Sequence, residues 1–238
     1  MRTVKQEQFA AKRSSILQTA LRLTLSKGFD EMSIQDVLDA LDISKGAFFH
    51  YYKSKGDLLE AMVGQMLETG IAHLTPIVHD DRLAALDKLC RFFATLIDWK
   101  TGQKSFFLSV VRVWYRDENA IVRQKVREGT IGQVGKLLGQ IIEQGQREGA
   151  FAVPFPDQQG MIVVAILEAM TDSLSKQLLG MCPGEELLAR MSDCVEAHTA
   201  TIERALGAPG GSIRVMGKET LEQWLSWAKD AGQGEETT

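Results

Sequence analysis

Apolar residues recur at three- and four-residue spacing along almost the whole chain, and no stretch sustains the two-residue alternation of a strand. A chain written in that period buries its apolar stripes by packing helix against helix. The expected class is therefore all-α. A first helix is expected over Lys12–Lys27, with Ile16, Leu17, Ala20 and Leu21 on one face, stopped by Gly28. Ser33 and Ser44 then open two short helices, to Leu41 and to about Tyr52, with Asp36 three residues after Ser33 at the capping-box position. A fourth starts at Ser54 and is expected to end before Pro76. Longer helices follow over 81–99, 104–115 and 119–148, then 157–179 with Asp157 as its cap, and 185–206. Gly207–Ser212 is a linker signal, and an amphipathic helix over 218–231 carries Leu221, Trp224, Leu225 and Ala228.

Composition narrows the class of partner. The longest apolar run, Met161 to Leu167, is closed by Glu168 and is far short of the roughly 20 residues a bilayer span needs. With no apolar signal region at the start, the expectation is a cytoplasmic chain with no membrane partner. Cys90, Cys182 and Cys194 are scattered without metal-ligand spacing, as suits reduced thiols. The net charge is -4, but it is uneven: residues 1–60 hold nine Lys/Arg against eight Asp/Glu, and the rest 18 against 23. A mildly basic head on an acidic body suits contact with nucleic acid at one end.

The two short helices have the layout of a helix-turn-helix, in which the second helix enters the major groove. Ile34, Val37, Leu38, Ile43, Phe48 and Tyr52 are suited to the core of a three-helix head. That leaves Lys45, Gly46, Ala47, Phe49, His50 and Tyr51 facing outward, with charge for phosphates, apolar groups for thymine methyls and flat hydrogen-bonding groups for base edges. Lys55 adds a phosphate candidate beside the next helix N-terminus. Arg2, Lys5, Lys12 and Arg13 are either a contacting arm or a solvated end.

The run from Ile16 to Phe29, and the run from Ser33 to Lys55 followed by Leu58-Leu59, resemble the DNA-binding region of the TetR family over about residues 9–67. The resemblance implies a DNA-binding domain over 1–55, a helical regulatory and dimerisation domain over 56–207, and an additional segment over 208–238. It places Ser33 near phosphate and Gln35 near a base edge. Lys45, Ala47, Phe49, His50 and Tyr51 fall on its contact positions, and Lys55 on its phosphate-binding lysine. Phe49 departs from the tyrosine usual there, so one hydroxyl contact to the DNA backbone is missing. The function implied is a homodimeric repressor on a palindromic operator of double-stranded DNA, released by a small, hydrophobic effector. The alternative is a ligand-independent architectural or cell-division factor on the same fold.

For the body, pattern alone nominates residues. Met161, Val164 and Ala165 on one helix and Leu187, Met191, Val195, His198 and Ile202 on the next are candidates for a dimer interface. Phe93, Phe107, Val111, Trp114 and Glu168 are candidates for a ligand pocket, with Arg112 as one possible partner of Glu168. No nucleophile elbow, phosphate loop or paired catalytic carboxylate is present, and the histidines are too dispersed to suggest a metal. The expectation is no enzyme activity, no metal and no cofactor.

Overall fold

The computed structural model describes the backbone of residues 2–180 and 186–233, and the side chains of 6–111, 113–180 and 186–227. Cys182 and the side chains of Arg2, Lys5, Arg112 and Ala228 lie outside the described residues. The elements are α1 (Arg2–Lys27), α2 (Ile34–Leu41), α3 (Lys45–Tyr51), α4 (Lys55–Val78), α5 (Ala85–Gly102), α6 (Lys104–Trp114), a short 3-10 turn (Asp117–Asn119), α7 (Ala120–Glu148), α8 (Pro156–Leu178), α9 (Leu187–Leu206) and α10 (Lys218–Gln233). Among the described residues there is no strand, and no helix is long and apolar enough to cross a membrane. The all-α class holds.

Several boundaries differ from the sequence reading, among them α5, which runs over Ala85–Gly102 rather than 81–99, and three of the differences have a physical cause. Helix α1 begins at Arg2 rather than near Lys12, because the helical register of Ile16 and Ala20 continues back through Phe9. Helix α4 runs through Pro76 to Val78. Proline in a final turn forfeits one main-chain bond without stopping the helix, and Thr75 Oγ1 donates to Ile71 O at 2.8 Å beside it. Helix α8 is capped by Phe155, not Asp157, with Pro156 in its first turn, where the missing N–H costs nothing.

The chain divides into two compact units, Met1–Leu67 with Ser105–Val126 and Glu68–Lys104 with Arg127–Thr238. In the first, Ile16, Ala20, Phe29, Val37, Leu38, Phe48, Tyr52, Leu58, Leu59 and Met62 form one core. Helix α6 completes it with Phe106, Val110 and Val113. A bidentate pair from the Arg116 guanidinium to Asp30, at 2.6 and 2.7 Å, ties the chain after α6 to the loop after α1.

The second unit packs α5, α8 and α9 with the C-terminal half of α7. Val163, Leu167, Met170, Leu174, Met191, Val195, Ile202 and Leu206 are all buried. Glycines set how closely α7 and α8 approach. A Cβ on Gly160 would lie 2.2 Å from Gly135 O and 2.6 Å from Gly139 N, so the helices touch backbone to backbone at that crossing. Gly207 ends α9 in the left-handed conformation at φ +64°. The segment after it is tied down rather than loose: the buried Glu203 carboxylate accepts Ile213 N–H at 2.9 Å, and Ile213, Val215 and Leu221 are buried. Helix α10 packs on α8 and α9 of its own chain.

Candidate nucleic-acid interface

Each short helix is fixed by its cap. Ser33 Oγ accepts Asp36 N–H at 3.1 Å, and the Asp36 carboxylate accepts Ser33 N–H at 2.7 Å, so the expected capping box is complete. Lys27 closes on the same carboxylate at 2.7 Å. These bonds, Lys27 first and Ser33 next, hold the Asp36 carboxyl far below the usual carboxylate range. Asp42 turns the chain at φ 49° after α2, a left-handed position that aspartate tolerates better than most residues. Ser44 Oγ then accepts Ala47 N–H at 3.2 Å to start α3.

Two aromatic residues seat α3. Phe48 is fully buried and Tyr52 nearly so. The Tyr52 hydroxyl donates to Arg13 O at 3.2 Å, and the Arg13 guanidinium stands 4.9 Å over the Tyr52 ring. Burial pushes the Tyr52 phenol up, against the pull of Arg13. With those rings inside, Lys45, Gly46, Phe49 and His50 are exposed, and Ala47 and Tyr51 are half-buried. Gly46 is not required by the fold, since a Cβ there would meet only Ser44 Oγ at 4.0 Å.

Ser33 and Gln35 are exposed on α2, and Gln35 Nε2 donates to Asp39 Oδ1 at 2.7 Å. Lys55 is turned toward its own fold. Its ammonium donates to Asp30 O at 3.1 Å and lies 4.6 Å over the Phe29 ring. Burial lowers its pKa, with Asp30 opposing.

One participant was missed. Phe9 on the extended α1 packs against His50, edge-on at 5.4 Å, and against Tyr51 at 4.8 Å. It therefore braces two of the outward residues of α3. The signal was the seven-residue step from Phe9 to Ile16, two helical turns along one face.

The pocket and interface candidates fare differently. Phe107, Val111 and Trp114 belong to the first unit, whereas Phe93 and Glu168 belong to the second. Glu168 lies 4.0 Å from Arg127, which pairs more closely with Asp172. Burial raises the Glu168 pKa, while Lys100 and then Arg127 draw it down. Val164, Met191, Val195 and Ile202 are buried within the chain itself; Met161, Leu187 and His198 are half-buried, and Ala165 is exposed. Among the described residues no three metal-ligating side chains stand together.

Residues 16–62 match the model of bacterial regulatory proteins of the tetR family. Over these residues the chain is similar to the tetR family. The match lies in the N-terminal head, where α2 and α3 form the helix-turn-helix. The chain is 34% identical over 71 residues to the Transposon Tn10 TetC protein of Escherichia coli, covering 30% of this chain and 36% of that protein. The chain thus spans about a third of that relative. It is 24% identical over 158 residues to the HTH-type transcriptional repressor NemR of Escherichia coli K12, covering 65% of this chain and 79% of that protein. A crystal structure of a TetR-family transcriptional regulator from Pectobacterium atrosepticum superimposes with a TM-score of 0.59 at 18% identity. That superposition covers 85% of this chain and 98% of the other, and shows that the fold is shared beyond the head. NemR is named a transcriptional repressor and the Pectobacterium protein a transcriptional regulator.

Proposed function

We propose that this chain is a tetR-family transcriptional repressor that binds a palindromic operator as a homodimer and is released by a small apolar effector. The observation that carries the reading is α3: a seven-residue helix seated by buried Phe48 and Tyr52, with Lys45, Gly46, Phe49 and His50 left exposed. A basic group at its start, a glycine the fold does not need and exposed aromatic residues suit an approach to phosphates and thymine methyls. Ser33, Gln35, Ala47, Tyr51 and Lys55 complete the proposed contact set. Lys55 spends one N–H on Asp30 O, and an ammonium carries two more for a phosphate.

The proposed division is a DNA-binding domain over 1–55, a regulatory and dimerisation domain over 56–207 and an additional segment over 208–238. One short recognition helix reads too few base pairs, so two are needed, about 34 Å apart on a palindrome. Residues Met161, Ala165, Leu187 and His198 retain exposed surface for a partner copy. Phe155 and Ile162 extend that stripe on α8, being 68% and 49% exposed. Val164, Met191, Val195 and Ile202 support that face from within the chain. The effector acts by differing affinity for the DNA-competent and DNA-incompetent arrangements of the dimer, and α4, continuous from Lys55 to Val78, is the proposed lever. The architectural alternative keeps the DNA contacts and lacks the effector.

Lys45→Ala tests the interface. It is expected to weaken binding on every DNA sequence, and to flatten the dependence of log affinity on log salt by about one unit. Titrations at several salt concentrations check this. A slope equal to that of the unaltered chain would remove Lys45 from the phosphate contacts.

A further inference from the structure

Three rings close on one another at the surface of the first unit. Phe9 of α1 meets His50 edge-on at 5.4 Å and Tyr51 at 4.8 Å, and His50 meets Tyr51 edge-on at 5.1 Å. Two of the three belong to the outward side of α3, and the third comes from a different helix. That helix is a firm mount. Phe9 lies two turns before Ile16 on α1, roughly 10 Å along the axis, and Ile16 and Ala20 are fixed in the core of the head.

The rings are held while their polar atoms stay unengaged. Among the described residues no hydrogen bond occupies the ring nitrogens of His50 or the hydroxyl of Tyr51. Neighbouring polar groups differ: the Tyr52 hydroxyl is committed to Arg13 O, and Gln35 Nε2 to Asp39. His50 is exposed and Phe9 is 39% exposed, so the cluster is open to solvent on one side. An exposed side chain ordinarily exchanges among rotamers. Here a change of rotamer at either ring of α3 gives up its contact with Phe9.

We infer that Phe9 is a positioning residue that sets sequence specificity: by fixing the aim of His50 and Tyr51 it determines which base pairs α3 accepts. The inference rests on the reading of α3 as the recognition helix, and deepens it with a residue that precedes the matched region 16–62. Phe9 carries no charge. Its effect is therefore on discrimination between sequences, and not on the attraction to phosphates that every sequence offers.

The test compares the full chain with Phe9→Ala and Phe9→Tyr. Fluorescence anisotropy measures binding to the duplex that the unaltered chain enriches from a random pool, to its single base-pair variants and to random-sequence DNA. A wrong base pair is expected to cost the unaltered chain about 5- to 150-fold in affinity. Phe9→Ala is expected to lose most of that penalty at one or two base pairs of each half-site. Its affinity for random-sequence DNA and the salt dependence of that affinity are expected to stay unchanged. Phe9→Tyr, which keeps the ring, is expected to keep the penalty. In the chain free of DNA, the imidazole proton resonances of His50 are expected to shift in Phe9→Ala, as the ring current of Phe9 is removed. An equal loss on every duplex, or His50 resonances that do not move, overturns the inference. A discriminating chain whose Phe9→Ala variant discriminates equally well rejects this inference alone. An unaltered chain that enriches no sequence rejects the recognition reading and this inference with it.

Discussion

Gly160→Ala is expected to destabilise the second unit severely. The new methyl group would sit 2.2 Å from Gly135 O and 2.6 Å from Gly139 N. Both are main-chain atoms in the middle of α7, so neither can rotate aside as a side chain would. The helices must separate, which loosens the packing of buried Val134 and Leu138 on α7 and of buried Val163 and Val164 on α8. Overpacking of this kind costs about 1–3 kcal/mol, and for a chain of this size roughly 2–4 °C of melting temperature follows per kcal/mol. Gly132→Ala on the same helix is the matched control, since a Cβ there meets nothing within 4 Å. Relief of unfolded-chain entropy should make that variant more stable by about 0.4–1 kcal/mol. Thermal melts followed by circular dichroism compare the two. Similar melting for both variants would mean that α7 and α8 do not pack backbone to backbone.

Phe48→Ala should have the largest effect on the DNA-binding head. The ring is fully buried, edge-on to Phe49 at 5.4 Å and 6.0 Å from Tyr52. Truncating a buried phenylalanine costs about 3–5 kcal/mol. A helix of seven residues has little stability of its own, and once this ring is gone α3 is left with the Ser44 cap, Tyr52 and the Phe9 contacts to His50 and Tyr51. The expected result is loss of operator binding at temperatures where most helical signal survives. Urea titration gives the stability and DNA retardation gives the binding. A loss below about 1 kcal/mol would show that Phe48 is not the seat of α3.

The caps and the core of the head were legible in the sequence because they are local. Ser33, Asp36 and Ser44 act within one helical turn, and the spacing of Val37, Leu38 and Phe48 names one buried face whatever lies opposite. Properties that belong to pairs of distant segments were not legible. The apolar spacing of Phe107, Val111 and Trp114 marks a face without saying which neighbour covers it, and α6 instead gives Phe106, Val110 and Val113 to the core of the head. Gly135, Gly139 and Gly160 look like ordinary helix glycines until α7 and α8 are seen to cross on them. The contacts of Lys55 with Asp30 O and the Phe29 ring join segments that its local spacing does not relate. The linker reading of 207–212 missed its continuation: a buried Glu203 holding Ile213 is a tertiary bond with no local signature.

Phe9 has a further consequence for the interface. It braces His50 and Tyr51, so these rings are presented with less freedom than exposed side chains normally keep. Ordering them before binding lowers the entropy lost when DNA is engaged. The hydroxyl absent at Phe49 leaves Tyr51 and His50 as the polar aromatic groups on this side of α3.

The most direct test of the central claim is selection of bound sequences from a random double-stranded DNA pool with the purified full chain at physiological salt. The account predicts enrichment of one palindrome, with half-sites spaced so that two copies of α3 enter the major groove on one face of the duplex. Enrichment of a single asymmetric site, or of no sequence at all, would contradict it.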